Sequence, residues 1–248
     1  QKNGYYLLNG SKNFISNAAM ASLFIVLAKT EKDKGSKGIS VFIVDRDTPG
    51  VSVGKDEEKM GRHCSSLNDV IFDDVKVPAE NLLVPAGRGF KEMMVEFNSE
   101  RCGNSSLCIG MAQGAYERAV KYCQERVQFG KPIANLQGIQ WTVAEMAIQI
   151  QAARLLVYDA AFKADSGKVI AKEAAIAKKF ANEMSTWVVD KAIQLHGGYG
   201  YMSEYEVERY YRDVRGWSMG GGTTQICLNR IAYEILKTGQ ASTQSGKD

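Results

Sequence analysis

The segment 220–224 has the residue types that bind an anion at the start of a helix. It reads Gly-Gly-Gly-Thr-Thr, so its glycines leave backbone N–H groups accessible and its hydroxyls can cap a following helix. Such a turn can hold an anion or stabilise an oxyanion. It is not a nucleotide-binding P-loop, because no Gly-Lys-Ser/Thr follows, and it is not a dinucleotide-binding fingerprint, because no strand precedes it.

Cysteine and histidine indicate neither a disulfide framework nor a metal centre. The chain has five cysteines without a close Cys-x-x-Cys pair, and its two histidines are His63 and His196. We therefore expect reduced, mostly buried thiols and no metal site.

The net charge of +3 is too small to favour nucleic acid, and no window is long and apolar enough to span a membrane. The chain opens at Gln1 without a leader, so its targeting is unreadable.

The elements that must position these residues fall into two halves, and the first half is predicted to be β. Short runs rich in β-branched and aromatic residues lie at 5–8, 22–27, 39–44 and 69–77. Strands at this spacing predict that residues 1–86 form a small antiparallel β-domain, a sandwich or a barrel. Asn9-Gly10 predicts a turn after the first run, and the charged segment 31–37 predicts a loop.

The second half is predicted to be helical, because its apolar residues recur at helical spacing from residue 87 onward. The predicted helices cover 89–127, 133–164, 168–196, 204–215 and 222–238. Three long helices with short connections predict an antiparallel bundle over residues 87–238, followed by a polar tail at 239–248. Gly197 suits the left-handed position after the third helix. The fold class is therefore α+β, a β-domain followed by a helical bundle.

Five motifs in sequence order resemble those of the acyl-CoA dehydrogenase family. They are Phe14-Ile15-Ser16-Asn17, then Glu125-Arg126 with Phe129-Gly130, Ile133 and Gln137, then Gln194 with Gly197-Gly198 and Gly200, then Tyr211-Arg212-Asp213, and last Gly222-Thr223-Thr224-Gln225-Ile226. The resemblance implies a fold of one helical domain, one β-domain and a second helical bundle. The first helical domain and the opening strands have no counterpart here, so we expect the chain to be part of a longer protein.

The resemblance implies that FAD binds where two subunits meet. Phe14 would lie along the isoalloxazine ring, and Arg126 would bind the diphosphate, since a guanidinium donates two parallel hydrogen bonds. Gln194, Gly197 and Gly198 would come from the partner subunit. Each role has an alternative: Phe14 could be a core aromatic residue, Arg126 a solvated surface arginine, and Gly197 with Gly198 only the cap of a helix. The implied cofactor-binding residues are Phe14, Ile15, Ser16, Arg126, Gln128, Phe129, Gln137, Gln194, Gly197, Gly198, Thr223 and Gln225.

The same resemblance implies that the catalytic base has moved. Most members of the family carry Glu directly before the Gly-Thr of the last motif, where this chain has Gly221. A minority, including isovaleryl- and long-chain-type enzymes, carry Glu on the first long helix before an arginine, and this chain has Glu100 before Arg101. Glu100 is therefore the implied base, and the alternative is an ordinary helix carboxylate. We expect Gly220 and Gly221 to leave room for a branch or ring of the substrate.

The implied reaction is α,β-dehydrogenation of an acyl-CoA thioester. Glu100 would take the α-proton, and the backbone N–H of Gly221 would donate a hydrogen bond to the thioester carbonyl. Many members of the family have Asp where this chain has Asn98, so the chain departs from the family pattern at this position. The implied substrate-binding residues are Phe97, Asn98, Arg101 and Gly222.

The leading hypothesis is a homo-oligomeric dehydrogenase, a dimer of dimers, that acts on a branched, cyclic or aryl-bearing acyl-CoA. It would pass electrons to an electron-transfer flavoprotein and work in the bacterial cytoplasm or the mitochondrial matrix. The alternatives on the same fold are an enoyl-CoA reductase, a thioester lyase, and a flavin-binding scaffold without catalysis.

Overall fold

A computed structural model of the chain describes residues 4–236. The predicted polar tail at 239–248 lies outside the described residues. The chain divides between Met94 and Val95 into two compact units, which we call the β-unit and the helical unit. The predicted domain boundary at residue 86 remains a prediction.

The β-unit holds five strands: β1 (Tyr5–Ser16), β2 (Leu23–Lys29), β3 (Ile39–Asp45), β4 (Val51–Val53) and β5 (Leu67–Pro78). One antiparallel sheet has the order β1-β5-β4, and β2 pairs with β3 in a second sheet. Side chains from both sheets, including Phe24, Phe42 and Val75, form one core. The predicted antiparallel β-domain is confirmed, and two sheets that share a core correspond to the predicted sandwich. A short 3-10 helix, Lys32–Gly38, occupies the predicted loop.

The predicted turn at Asn9-Gly10 is wrong, because both residues lie inside β1. The pairing of β1 with β5 shifts register between Leu8 and Gly10, which is a β-bulge. The Asn9 side chain donates to the Asp74 carboxylate and accepts from the Asp74 backbone N–H, both at 2.9 Å. This pair of hydrogen bonds gives the backbone a partner at the bulge, so the strand continues instead of turning.

The helical unit follows the predicted order of helices, with ends displaced by a few residues. The helices are α1 (Gly89–Glu125), which begins in the β-unit and continues into the helical unit, α2 (Gln137–Asp165), α3 (Ala171–His196), α4 (Val207–Arg215) and α5 (Thr224–Leu236). Two-residue strands, β6 (Val127–Gln128) and β7 (Lys131–Pro132), form a hairpin between α1 and α2. α4 starts later than predicted because Glu206 has a φ of 57°, which is not helical.

α3 lies at the centre of the helical unit and packs against α2, α4 and α5. Its buried face is rich in small residues, such as Ala174, Ala181 and Ser185, which let neighbouring helices approach closely. α3 ends at His196, and Gly197 follows with a φ of 58° and a ψ of −137°. The φ is positive as predicted, but the ψ lies outside the left-handed helical region, in a conformation that glycine adopts far more readily than other residues.

None of the helices described between residues 4 and 236 is both long and apolar enough to cross a bilayer. Over the same residues, no cluster of three or more His, Cys, Asp or Glu side chains could hold a metal ion. The cysteines are free thiols, and Cys108, Cys123 and Cys227 are buried.

Candidate active site

The turn before α5 leaves backbone donors open to a ligand. Gly221 and Gly222 have φ values of 65° and 100°, which delays the start of the helix to Thr224. The Thr223 hydroxyl accepts a hydrogen bond from the Ile226 N–H at 3.3 Å and so caps the helix. Within residues 4–236, the N–H groups of Gly221 and Gly222 donate to no protein acceptor. The turn can therefore donate hydrogen bonds to an anion or an oxyanion.

Three side chains converge on the space that a side chain at position 221 would occupy. A Cβ atom placed on Gly221 would lie 2.7 Å from Asn104 Nδ2, 2.9 Å from Glu100 Oε2 and 2.9 Å from Lys178 Nζ. The expectation that Gly221 leaves room for a substrate branch is therefore wrong, since protein side chains already fill that space. Gly221 instead gives the Glu100 carboxylate access to the turn.

Glu100 is held in place by a neighbour on its own helix. Asn104 Nδ2 donates to Glu100 Oε1 at 2.5 Å, one helical turn along α1. Because a carboxylate is an acceptor, the side-chain amide of Asn104 must present its NH₂ group. Glu100 is exposed and Asn104 is buried. The arrangement holds a solvent-accessible carboxylate beside Gly221 of the glycine turn.

Arg101 points elsewhere and does not pair with Glu100 in the described chain. Its side chain is 8% exposed, and its Nη1 donates to Asn98 Oδ1 at 3.0 Å. Its Nε is buried without a partner, which is a costly state for a charged donor. Its Nη2 would lie 3.9 Å from a Cβ on Gly222. The predicted substrate residues Asn98, Arg101 and Gly222 thus lie together, while Phe97 is half-buried on the same helix.

Lys178 on α3 is the third side chain at this point, and it is fully buried. It donates a hydrogen bond to the Gly220 carbonyl. Burial lowers the pKa of the Lys178 ammonium, because desolvation disfavours its charged form, while the nearby Cys227 and Glu100 oppose that shift.

A second group of predicted residues lines one cavity, which we call the hairpin cavity because the β6–β7 hairpin forms part of it. The cavity has a volume of about 460 Å³, and its lining includes Arg126, Gln128, Gln194, Gly197 and Gly198. Cβ atoms placed on the two glycines would meet nothing within 4 Å. In the described chain no carboxylate lies within ion-pair distance of Arg126. A guanidinium without a carboxylate neighbour in the described chain, beside open glycine backbone, fits a diphosphate, so the residues present fit the implied FAD.

Aromatic rings form one wall of the hairpin cavity. Tyr122 stacks on His196 with ring centroids 4.4 Å apart, and Arg126 lies 5.8 Å over the ring of Tyr199. His196 Nδ1 donates to the Ala192 carbonyl at 2.7 Å, which leaves Nε2 as the unprotonated nitrogen of the neutral ring. Burial lowers the pKa of His196 and so favours that neutral form. The wall is uncharged, and Arg126 supplies the positive charge.

Four other predicted cofactor residues of the helical unit do not line the hairpin cavity. Phe129 lies at the hairpin tip with a φ of 52° and is 86% exposed. Gln137 is the first residue of α2. Thr223 and Gln225 lie at the start of α5, where Thr223 caps the helix. Their roles toward FAD remain predictions.

The predicted flavin residues of the β-unit lie at the end of β1. A second bulge falls between Lys12 and Ile15, where Phe14 has a φ of 58° and is 71% exposed. Ile15 and Ser16 line an apolar groove of about 360 Å³ beside β2. An aromatic side chain this exposed is not a core residue, which rules out the alternative that Phe14 packs inside the β-unit.

The two units correspond to two consecutive domains of one class of flavin-dependent enzymes. The model for the acyl-CoA dehydrogenase middle domain matches residues 1–75, and the model for the acyl-CoA dehydrogenase C-terminal domain matches residues 87–236. The chain therefore belongs to the acyl-CoA dehydrogenase family. FAD is the cofactor of this family, so the predicted cofactor is confirmed at family level.

Relatives within the family include reductases and dehydrogenases. The chain is 48% identical to an acryloyl-CoA reductase (NADH) of Anaerotignum propionicum, over 94% of this chain and 59% of that protein. It is 47% identical to the caffeyl-CoA reductase–Etf complex subunit CarC of Acetobacterium woodii, over 94% and 62%. The structure of butyryl-CoA dehydrogenase from Megasphaera elsdenii matches with a TM-score of 0.93 at 44% identity, over 95% and 62%. The chain thus spans about three fifths of the length of these relatives.

Sequence reasoning missed Asn104, Lys178 and the aromatic wall. Asn104 could have been found by its spacing, since it follows Glu100 by one helical turn. Lys178 had a stronger signal, because Ala174, Ala175 and Ala181 surround it at helical spacing. A lysine among alanines at this spacing lies on the helix face that packs against other helices, so its burial could have been expected. The aromatic wall had no comparable signal, since its rings come from different elements.

Proposed function

We propose that the protein containing this chain is an FAD-dependent acyl-CoA dehydrogenase whose catalytic base is Glu100. The observation that carries the proposal is the position of Glu100 Oε2, 2.9 Å from where a side chain at position 221 would begin. Position 221 is where most members of the family carry their Glu. A carboxylate from α1 that reaches this place can do the same chemistry from a different backbone position.

The residues of the glycine turn and α1 would divide the chemistry between them. The free N–H of Gly221 would donate to the thioester carbonyl, and an aligned donor of this kind contributes about 3 kcal/mol. Glu100 would take the α-proton. The hydrogen bond from Asn104 to one carboxylate oxygen would hold the Glu100 side chain in place for this step. Asn98 and Arg101, which are hydrogen-bonded to each other, would line the channel for the CoA thioester.

The hairpin cavity would hold the cofactor through Arg126 and the backbone of Gly197 and Gly198. FAD, when bound, supplies the acceptor for the hydride that leaves the β-carbon. Sequence reasoning assigned Gln194, Gly197 and Gly198 to a partner subunit. Arg126 lines the same cavity, so any diphosphate that reaches the glycines of one subunit also reaches its arginine.

We propose a branched, cyclic or aryl-bearing acyl group, carried by CoA, as the substrate. Gly221 does not support this choice of substrate, because protein side chains fill the space beside it. Its remaining support is the relocated base, the arrangement that the resembling isovaleryl-type enzymes use, and the aryl acyl group named for the caffeyl-CoA reductase subunit. Electron transfer to an electron-transfer flavoprotein and a place in the bacterial cytoplasm or mitochondrial matrix belong to the same proposal.

An enoyl-CoA reductase is the second candidate, and the names of two relatives favour it. The reverse reaction uses the same groups, because Glu100 would then return a proton to the α-carbon. Anaerobic mixing with candidate acyl-CoA and enoyl-CoA thioesters runs both half-reactions on the same site, so the position of the flavin equilibrium separates the directions. Net bleaching of the oxidised flavin by the saturated thioester supports a dehydrogenase, and net re-oxidation of the reduced flavin by the unsaturated thioester supports a reductase. A lyase releases its leaving group without net bleaching, and a scaffold does none of these.

The base assignment predicts that Glu100→Gln in the full-length protein abolishes flavin bleaching by the substrate and leaves FAD bound. The glutamine keeps the shape of the side chain but cannot accept the α-proton. Stopped-flow absorbance of the flavin measures the bleaching rate, and we expect it to fall by at least about 10³-fold. Glu96→Gln is the matched control, since Glu96 is an exposed carboxylate one turn earlier on α1. Normal bleaching in Glu100→Gln would disprove the assignment.

A further inference from the structure

Lys178 is a buried ammonium group that the proposed chemistry does not use. Its side chain is 0% exposed, in the middle of a helix face otherwise made of small residues. Burying an unneeded charge is expensive, and an apolar side chain of similar volume would fill the same space at lower free energy. The position of Lys178 therefore needs a reason other than packing.

The contacts of Lys178 lie at the glycine turn before α5, beside the proposed catalytic base. Its Nζ donates to the carbonyl of Gly220, the residue before the turn whose N–H groups are free. The same Nζ would lie 2.9 Å from a Cβ on Gly221, as would Glu100 Oε2. The ammonium group thus contacts the turn and is a near neighbour of the Glu100 carboxylate.

Several titratable groups act on Lys178, and the carboxylate among them is that of Glu100. α1 contributes Glu100, Arg101 and the thiol of Cys108, and α5 contributes the thiol of Cys227. Burial raises the pKa of Cys227, so that thiol stays neutral at physiological pH. Arg101 is a second cation and opposes Lys178. Among the groups that act on Lys178 in the described chain, Glu100 is therefore the one that carries negative charge.

We propose that Lys178 is a positioning residue that fixes the glycine turn through the Gly220 carbonyl and holds the Glu100 carboxylate beside Gly221 through its positive charge. The inference rests on the proposed role of Glu100 as base. Two tasks follow from one side chain. The hydrogen bond sets where the Gly221 N–H points, and the charge sets where the Glu100 carboxylate lies.

The two tasks can be separated with two variants of the full-length holoenzyme. Lys178→Gln removes the charge and retains an N–H donor, whereas Lys178→Met removes both. A carboxylate that loses a nearby cation is no longer drawn to one place, so we expect kcat to fall about tenfold in both variants while KM and FAD affinity stay unchanged. We also expect Lys178→Met to lose about another tenfold in kcat, because its turn is no longer held.

Lys179→Gln is the matched control, because Lys179 is the next residue and pairs with Glu183 at the surface at 2.7 Å. Its kcat and KM should match those of the wild type. An unchanged kcat in Lys178→Gln, or a fall in kcat that only accompanies a higher KM and a lower thermal midpoint, would overturn the charge role and reduce Lys178 to packing. Glu100→Gln, measured in parallel, distinguishes the two failures: if it remains active, the proposed base is wrong as well.

Discussion

At the scale of single residues, one glycine and one glutamate depend on each other. Gly221 lacks a side chain, and the vacated space holds Glu100, Asn104 and Lys178. The glycine therefore does two things. It permits a positive φ before α5, and it leaves the place of the missing carboxylate free for one that comes from α1. In the proposed site, the catalytic carboxylate stays near the turn while α1 supplies it.

This dependence predicts that Gly221→Ala destabilises the full-length protein by about 1–3 kcal/mol. The new Cβ would adopt an unfavourable φ and press on Asn104, Glu100 and Lys178 together. Denaturant unfolding measures the loss, and the bleaching rate should fall with it because Glu100 is displaced. Gly110→Ala is the control with the opposite sign. Gly110 lies inside α1 with nothing within 4 Å of its Cβ position, so we expect about 0.5–1 kcal/mol of stabilisation. A fully stable Gly221→Ala would contradict this account.

At the scale of elements, the hairpin and the turn after α3 form the hairpin cavity together. β6 and β7 are joined by Phe129 and Gly130, both at positive φ, which makes the hairpin tight and brings Arg126 back toward the bundle. The Arg126 carbonyl accepts from the Ile133 N–H at 2.9 Å and closes the hairpin at its base. The opposite side of the hairpin cavity is formed by the turn after α3, where Gly200 closely approaches the carbonyl of Ile193.

Two glycines of the turn after α3 should respond differently to alanine. A Cβ on Gly200 would collide with the Ile193 carbonyl, so Gly200→Ala should lower stability by about 1–3 kcal/mol and weaken FAD binding. A Cβ on Gly198 would meet nothing within 4 Å, so Gly198→Ala should leave the stability of the apoprotein unchanged and weaken FAD binding alone. Calorimetric FAD titration and thermal unfolding of the apoprotein measure both effects. Unchanged FAD affinity in Gly198→Ala would count against the cavity as the diphosphate site.

At the scale of the whole molecule, α2 presents an apolar face that nothing in the described chain covers. Trp141, Ile148, Leu155 and Phe162 recur every seven residues on it, and Phe162 is 78% exposed. A stripe of large apolar side chains at this spacing is suited to a helix face of a second copy. Continuity with the proposed two-subunit flavin site points to the same partner, so we propose that α2 contributes to a homo-oligomer, a dimer of dimers.

The oligomer predicts a clear effect of Leu155→Glu, which places a charge in the middle of the stripe. Burying an unpaired carboxylate between subunits is unfavourable, so we expect the full-length protein to dissociate into smaller species. Sedimentation velocity or light scattering measures the mass. Lys55→Glu is the control, because the Lys55 side chain is 82% exposed. An unchanged mass in Leu155→Glu would exclude this face from the interface.

The sequence by itself determined the two halves, the order of the helices and the family. Those properties depend on local spacing: period two in the strands, helical spacing in the bundle, and short motifs around glycines. It also pointed to Glu100, because members of the family carry the base at one of two positions, and this chain has glycine at one of them and glutamate at the other. It misjudged Asn9-Gly10, since a turn dipeptide can equally form a bulge when a partner strand supplies the hydrogen bonds.

Only the tertiary structure decided what surrounds Gly221. Asn104 and Glu100 come from α1, Lys178 from α3, and the turn from the start of α5, so their meeting depends on how three helices pack rather than on any local pattern. A sequence shows which residues lack a side chain, but not which neighbour moves into the space. That depends on close packing, because an interior leaves few spaces unfilled and the filling group is chosen by geometry in three dimensions.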